Sequence, residues 1–142
     1  MIFLDTNFFL RYLVQPTTPA SCALQTVAVA LFDAVERGDE VVTTCEVVLH
    51  EVCYVLASKA HYAQTAEEIA SYLAPILRMK GFKLPRGEKR VYTRALEIYA
   101  AHPKLGFADA LIAARAEALG VPLATFDEAL ARLPFLTRWR AK

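Results

Sequence analysis

Cysteine is scarce in this chain, and what there is does not pair: Cys22, Cys45 and Cys53 are an odd number with no C-x-x-C spacing. Neither a disulfide framework nor a thiolate zinc site is indicated, and the three read as small core hydrophobes. Long apolar runs are missing too. The longest, Val27–Phe32 and Val52–Ala57, reach six residues, against the ~18 of a membrane-spanning helix. Asp5, Asn7 and Arg11 interrupt the first apolar stretch, which therefore does not read as a signal peptide. Glycine (5) and proline (7) are few while 56% of residues are hydrophobic, a balance that excludes disordered and collagen-like chains. Histidine is equally sparse. His50-Glu51 opens like the zinc-protease helix motif, but Tyr54 stands where its second histidine belongs. His61 and His102 are isolated and read as structural. These exclusions leave one expectation: a single domain over residues 1–142, cytoplasmic and without membrane contact.

Charge of one sign is lacking only in total. The formal net charge is +1, yet residues 1–77 carry a net of −6 and residues 78–142 a net of +7. The densest basic stretch, Arg78 to Arg94, contains seven basic residues and Glu88 alone against them. A second basic cluster is formed by Arg132, Arg138, Arg140 and Lys142. Such asymmetry suits either solvated helix faces or a surface that receives a phosphate backbone.

Apolar periodicity supplies the elements. Met1–Leu4 reads as a buried strand ending in a polar turn at Asp5-Thr-Asn7. Helices are expected over Ala20–Arg37, about Thr44–Ser58, Thr65–Met79 with a kink or an early end at Pro75, Arg86–Ala101, Phe107–Leu119, and from Asp127 to Leu133. Thr43 and Glu46 have the spacing of a capping box, which gives Glu46 a sufficient structural task. Strands are expected at Val41–Thr43, Phe82–Leu84 and Val121–Phe126, with an edge strand at Phe135–Trp139. Alternating short strands and helices predict a three-layer α/β/α sandwich around a mostly parallel sheet of four to five strands.

In such sheets ligands bind beyond the carboxyl ends of the strands. Asp5 and Asp127 each follow a predicted strand there, although either also suits an Asx turn or a helix N-cap. Glu51 has Val47, Val48, Tyr54 and Val55 as its one-turn neighbours, which predicts a carboxylate within an apolar face, costly unless paired or bound to a cation. Asp109 lies on the first turn of an alanine-rich helix, where the helix dipole favours it. The alanines at 108, 110, 113 and 114 permit close packing onto the sheet. Four carboxylates converging at one rim, about 5 Å apart, would repel by roughly 3 kcal/mol per pair and would require protons or a divalent cation. Oxygen-only ligands favour Mg²⁺ or Mn²⁺, and magnesium usually completes its shell with substrate phosphates.

The order Leu4-Asp-Thr-Asn7, Glu46-Val-Val-Leu-His-Glu-Val-Cys-Tyr-Val-Leu56, Phe107-Ala-Asp-Ala-Leu-Ile-Ala-Ala114 and Ala124-Thr-Phe-Asp127 resembles a PIN domain, most closely the VapC-type toxin ribonucleases. The resemblance spans essentially the whole chain. It implies that Asp5, Glu51, Asp109 and Asp127 form a catalytic, metal-binding acidic site supported by Thr6, Asn7 and Thr125. It further implies a Mg²⁺- or Mn²⁺-dependent endoribonuclease acting on single-stranded or structured RNA and leaving 5′-phosphate and 3′-hydroxyl ends. A homodimer and a cognate antitoxin are the implied partners. Arg86, Lys89 and Arg90 become candidate RNA-backbone contacts. Two other readings stay open. One is a non-catalytic RNA- or partner-binding module. The other is a Mg²⁺-dependent phosphohydrolase of small molecules, disfavoured because the first loop has no second acid and the length leaves no room for a cap domain.

Overall fold

The computed structural model describes residues 1–140. In chain order the elements are β1 (Ile2–Phe3), α1 (Thr6–Leu13), α2 (Pro19–Arg37), β2 (Val42–Thr43), α3 (Glu46–Ala57), α4 (Ala66–Leu77), α5 (Glu88–Ala101), α6 (Phe107–Leu119) and α7 (Glu128–Ala131). β1 and β2 pair in parallel, Ile2 opposite Val42 and Phe3 opposite Thr43. Phe82 adds a single parallel bridge on the other side of Val42.

The sheet is therefore shorter than the sequence pattern predicts. Phe82–Leu84 contributes one bridge instead of a strand, because the chain leaves the ladder after Lys83 N–H donates to the Val42 carbonyl. Val121–Phe126 and Phe135–Trp139 meet each other only at Leu123 and Arg138, through hydrogen bonds from Leu123 to Thr137 and from Trp139 to Leu123. Among the described residues no strand lies beside the outer edge of β1, and Ile2 and Phe3 are exposed.

Helices carry most of the packing. A helix not anticipated, α1, begins where a turn is expected: Asp5 Oδ1 accepts from Phe8 N–H at 3.3 Å and caps it. The same hydrogen bond that makes an Asx turn starts a helix when apolar residues follow at helical spacing. Here Thr6 and Phe9 supply the buried face. Phe9 then stands edge-on to Phe32 of α2 (5.8 Å between centroids) and to Phe82 (6.3 Å), with Tyr12 stacked on Phe32. α2 is closed by Gly38 at φ 82°, a left-handed conformation that favours glycine.

The other boundaries shift by a few residues. α5 starts at Glu88, not Arg86, because Gly87 takes a left-handed conformation before it. α3 starts at Glu46 behind Cys45 with no side-chain cap, so the expected Thr43/Glu46 capping box does not form. Thr43 lies in β2, and Glu46 turns instead to Arg115. α6 packs on α5 and α3 through Ala110, Ala113, Ala114 and Ala116, not onto the sheet as expected; Ala108 stays exposed. No helix among the described residues is long and apolar enough to cross a membrane.

Candidate acidic site at the rim of the sheet

Both strands end at the same rim. β1 leads through Leu4 into Asp5, and β2 leads through Thr44 and Cys45 into α3. Thr44 Oγ1 donates to the Leu4 carbonyl at 3.0 Å, a buried hydrogen bond that holds the two strand ends together. One residue past Asp5, Thr6 Oγ1 donates to Glu51 Oε2 at 2.9 Å. This bond fixes the N-terminus of α1 against α3 and leaves Glu51 Oε1 free. Thr6 and Glu51 are thus brought together by elements that are distant in sequence, with Asp5 and Asn7 on either side of Thr6 in the chain.

Glu51 is not buried in an apolar face, as its neighbours suggest, but exposed. The core side of α3 is Leu49, Val52, Cys53 and Leu56, whereas Val47 and Tyr54 beside Glu51 are 68% and 71% exposed. The helix has a second apolar stripe that faces solvent.

Asp109 reaches the level of Glu51 through the pairing of α3 with α6. Arg115 of α6 bonds Glu46 at the start of α3, and a pocket at the other end is shared by Cys53 and Tyr54 of α3 with Gly106 and Phe107 of α6. The two helices therefore run antiparallel. Glu51 lies about 7.5 Å along α3 from Glu46, and Asp109 about 9 Å along α6 from Arg115, at 1.5 Å per residue. Asp109 is half-buried there, on the first turn of a helix without a side-chain cap.

Asp127 has a structural task of its own. Its Oδ1 accepts from Ala129 and Leu130 N–H at 2.8 and 3.4 Å and caps α7, while Thr125 Oγ1 accepts from its own N–H at 3.0 Å. The preceding Phe126 is fully exposed. The expected convergence of four carboxylates is not found: among the described residues no three His, Cys, Asp or Glu side chains stand close enough to share a metal ion. Asp127 is engaged as the cap of α7, and the segment before it pairs with Arg138 and not with β1 or β2.

A model described as the PIN domain matches residues 2–136. The chain belongs to the PIN-domain family. PIN domains are nuclease-type domains with an α/β fold, and the matched span contains Asp5, Glu51, Asp109 and Asp127 alike. No curated protein matches the chain.

One cluster in this PIN domain escapes the sequence reading. Arg115 Nη1 and Nη2 donate to the two oxygens of Glu88 at 3.0 and 2.8 Å, and Nη2 also donates to Glu46. The Arg115 hydrogen bond holds the Glu88 carboxyl below its usual range, against the opposing effect of burial. The guanidinium thereby ties together the starts of α3 and α5 and the helix that carries Asp109. Its only sequence signal is a lone arginine among alanines, six residues past Asp109. Of the basic candidates, Arg86 and Arg90 are exposed near the start of α5. Lys89 is committed: its Nζ donates to the Phe82 carbonyl at 3.1 Å, and burial, followed by Lys83, lowers its pKa.

Proposed function

We propose that this PIN domain, residues 1–142 as one unit, is a divalent-metal-dependent endoribonuclease and the toxin of a type II pair held in check by a cognate antitoxin. The observation that supports the reading is the Thr6–Glu51 hydrogen bond at the strand rim, which ties Glu51 to the residue that follows Asp5 in the chain. The donors are all oxygen, the set that suits Mg²⁺ or Mn²⁺, and magnesium is commonly held by one or two carboxylates plus substrate phosphates. Asp5, Glu51, Asp109 and Asp127 are the protein's share in this reading. A bound cation would supply an activated water and charge neutralisation at the scissile phosphate. Thr6 keeps Glu51 in one orientation, Asn7 borders the site, and Arg86 and Arg90 offer charge to the RNA backbone. A cytoplasmic homodimer and the full three-layer sandwich of four to five strands belong to the same proposal.

The lack of three grouped acids among the described residues favours, as a second reading, a non-catalytic RNA-binding module. One experiment separates them. Purified protein is incubated with labelled single-stranded RNA and Mg²⁺ or Mn²⁺, with chelator, and as the Asp5→Asn variant. Cleavage that falls about a hundredfold in the variant and stops with chelator is expected, the scale of losing a principal charge-stabilising group. Cleavage that persists unchanged in both controls refutes the metal reading, and no cleavage with any divalent cation favours the module.

A further inference from the structure

Clefts lie along the helices that carry the acidic rim. One follows α1 from Asn7 to Val14; another, of about 240 Å³, lies between α3 and the N-terminus of α6. The second is lined by His50, Cys53 and Tyr54 on one side and by Tyr99, Gly106 and Phe107 on the other. We propose that it receives one unstacked base of the RNA strand, beside the phosphate at the rim; the proposal rests on the ribonuclease reading above.

Its position is the first argument. Tyr54 is one turn beyond Glu51 on α3, and Gly106 one turn before Asp109 at the start of α6. Glu51 and Tyr54, three apart on a helix, have Cβ atoms about 5–6 Å from each other, and Gly106 is the N-cap of the helix that carries Asp109. The pocket and the two acids therefore share the same two helices, and a nucleotide held in one reaches the other.

Its chemistry is the second. No Asp, Glu, Lys or Arg lines it, so it suits a neutral, flat base and not a phosphate. Tyr99 and Phe107 meet edge to face at 6.1 Å and 80° and form a buried aromatic floor. Tyr54 at the mouth keeps 71% of its surface exposed. Single-stranded RNA is recognised in this manner, by bases splayed out of the stack onto aromatic rings.

Gly106 is the third. Its φ of −73° and ψ of 166° suit any residue, and a Cβ placed there would meet nothing within 4 Å. Neither backbone conformation nor packing requires a glycine. Serine or asparagine would cap α6 better. Gly106 lines the pocket, so a position without a side chain stands at its wall.

The test uses the Asp5→Asn protein, so that RNA stays intact, and a fluorescein-labelled 12-nucleotide single strand of mixed sequence in Mg²⁺, read by anisotropy. Tyr54→Ala and Gly106→Leu are each expected to weaken binding about fivefold or more, the loss of one base–aromatic stack. Tyr54→Phe, which keeps the ring, is expected to bind within about twofold of the parent. Thermal melts confirm that the variants fold. If Tyr54→Ala and Gly106→Leu bind as tightly as the parent, the pocket assignment fails while the ribonuclease reading stands. If the parent binds no RNA at all, both fail. A loss that Tyr54→Phe does not restore also overturns the assignment.

Discussion

Replacing Arg115 with methionine tests whether its ion-pair cluster holds the site helices together. Methionine keeps the apolar stem and removes the charge, so lost packing contributes little. What remains is a pair of carboxylates, Glu46 and Glu88, that both faced one guanidinium. The side chains are 36% (Arg115), 44% (Glu46) and 23% (Glu88) exposed, between the regimes of surface and buried pairs. An exposed pair contributes about 0–1 kcal/mol and breaking a buried one costs about 3–5, so a bidentate, half-buried cluster is expected to cost about 2 kcal/mol. For a domain of this size that corresponds to a midpoint lower by about 4–8 °C.

The pH dependence sharpens the test. Glu88 has its folded-state pKa lowered, chiefly by the Arg115 hydrogen bond. A group depressed in the folded state adds stability above its unfolded pKa, about 4.3 for glutamate, and loses it as pH falls through the lower folded value. The gap in melting temperature between the parent and Arg115→Met is therefore complete at neutral pH and shrinks below about pH 4. Circular dichroism melts at pH 7 and pH 3.5 measure both ends. A gap under about 1 °C at pH 7, or one equally large at pH 3.5, would refute the cluster's role.

Three further outcomes follow from other parts of the molecule. Gly81→Ala puts a Cβ 2.0 Å from the Glu40 carbonyl and 2.9 Å from that of Val35; both are backbone atoms, so a loss of about 3 kcal/mol or more is expected, read as poor soluble yield and an early denaturant midpoint. Thr6→Val removes the donor to Glu51 while keeping shape; RNA cleavage is expected to fall about tenfold with stability changed by under about 1 kcal/mol, and unchanged cleavage would remove Thr6 from the site. Cys53 is buried, and that burial pushes its thiol up to about 12. A disulfide reagent at pH 8 should therefore label exposed Cys22 in the native protein and reach Cys53 only after unfolding.

The helices were legible in the sequence because period and punctuation agree. Ala20–Arg37 is extended by one residue to Pro19, where proline fits the first turn, and stops at a left-handed Gly38. Phe107–Leu119 stops at Gly120 in the same way. Strands were not, since an apolar β-prone run states what a segment prefers and not which partner it finds. Val121–Phe126 carries as strong a strand signal as Val41–Thr43. Yet Val42 is flanked by β1 and Phe82, whereas among the described residues the backbone of Leu123 bridges to Arg138 and not to β1 or β2.

The acidic site shows the same division. Residue type and the position after a strand singled out Asp5, and the Thr6–Glu51 bond then ties it to an acid on another element. Glu51 was singled out for a different reason from the one the structure supplies. Four apolar neighbours at one-turn spacing were read as burial, but spacing establishes only that residues share a stripe, never that the stripe is covered. α3 has two such stripes. Leu49, Val52, Cys53 and Leu56 pack into the core, so the exposure of Val47 and Tyr54 is left without a folding role. That exposure is what the proposed base pocket would use, since Tyr54 stands one turn from Glu51 on the same helix.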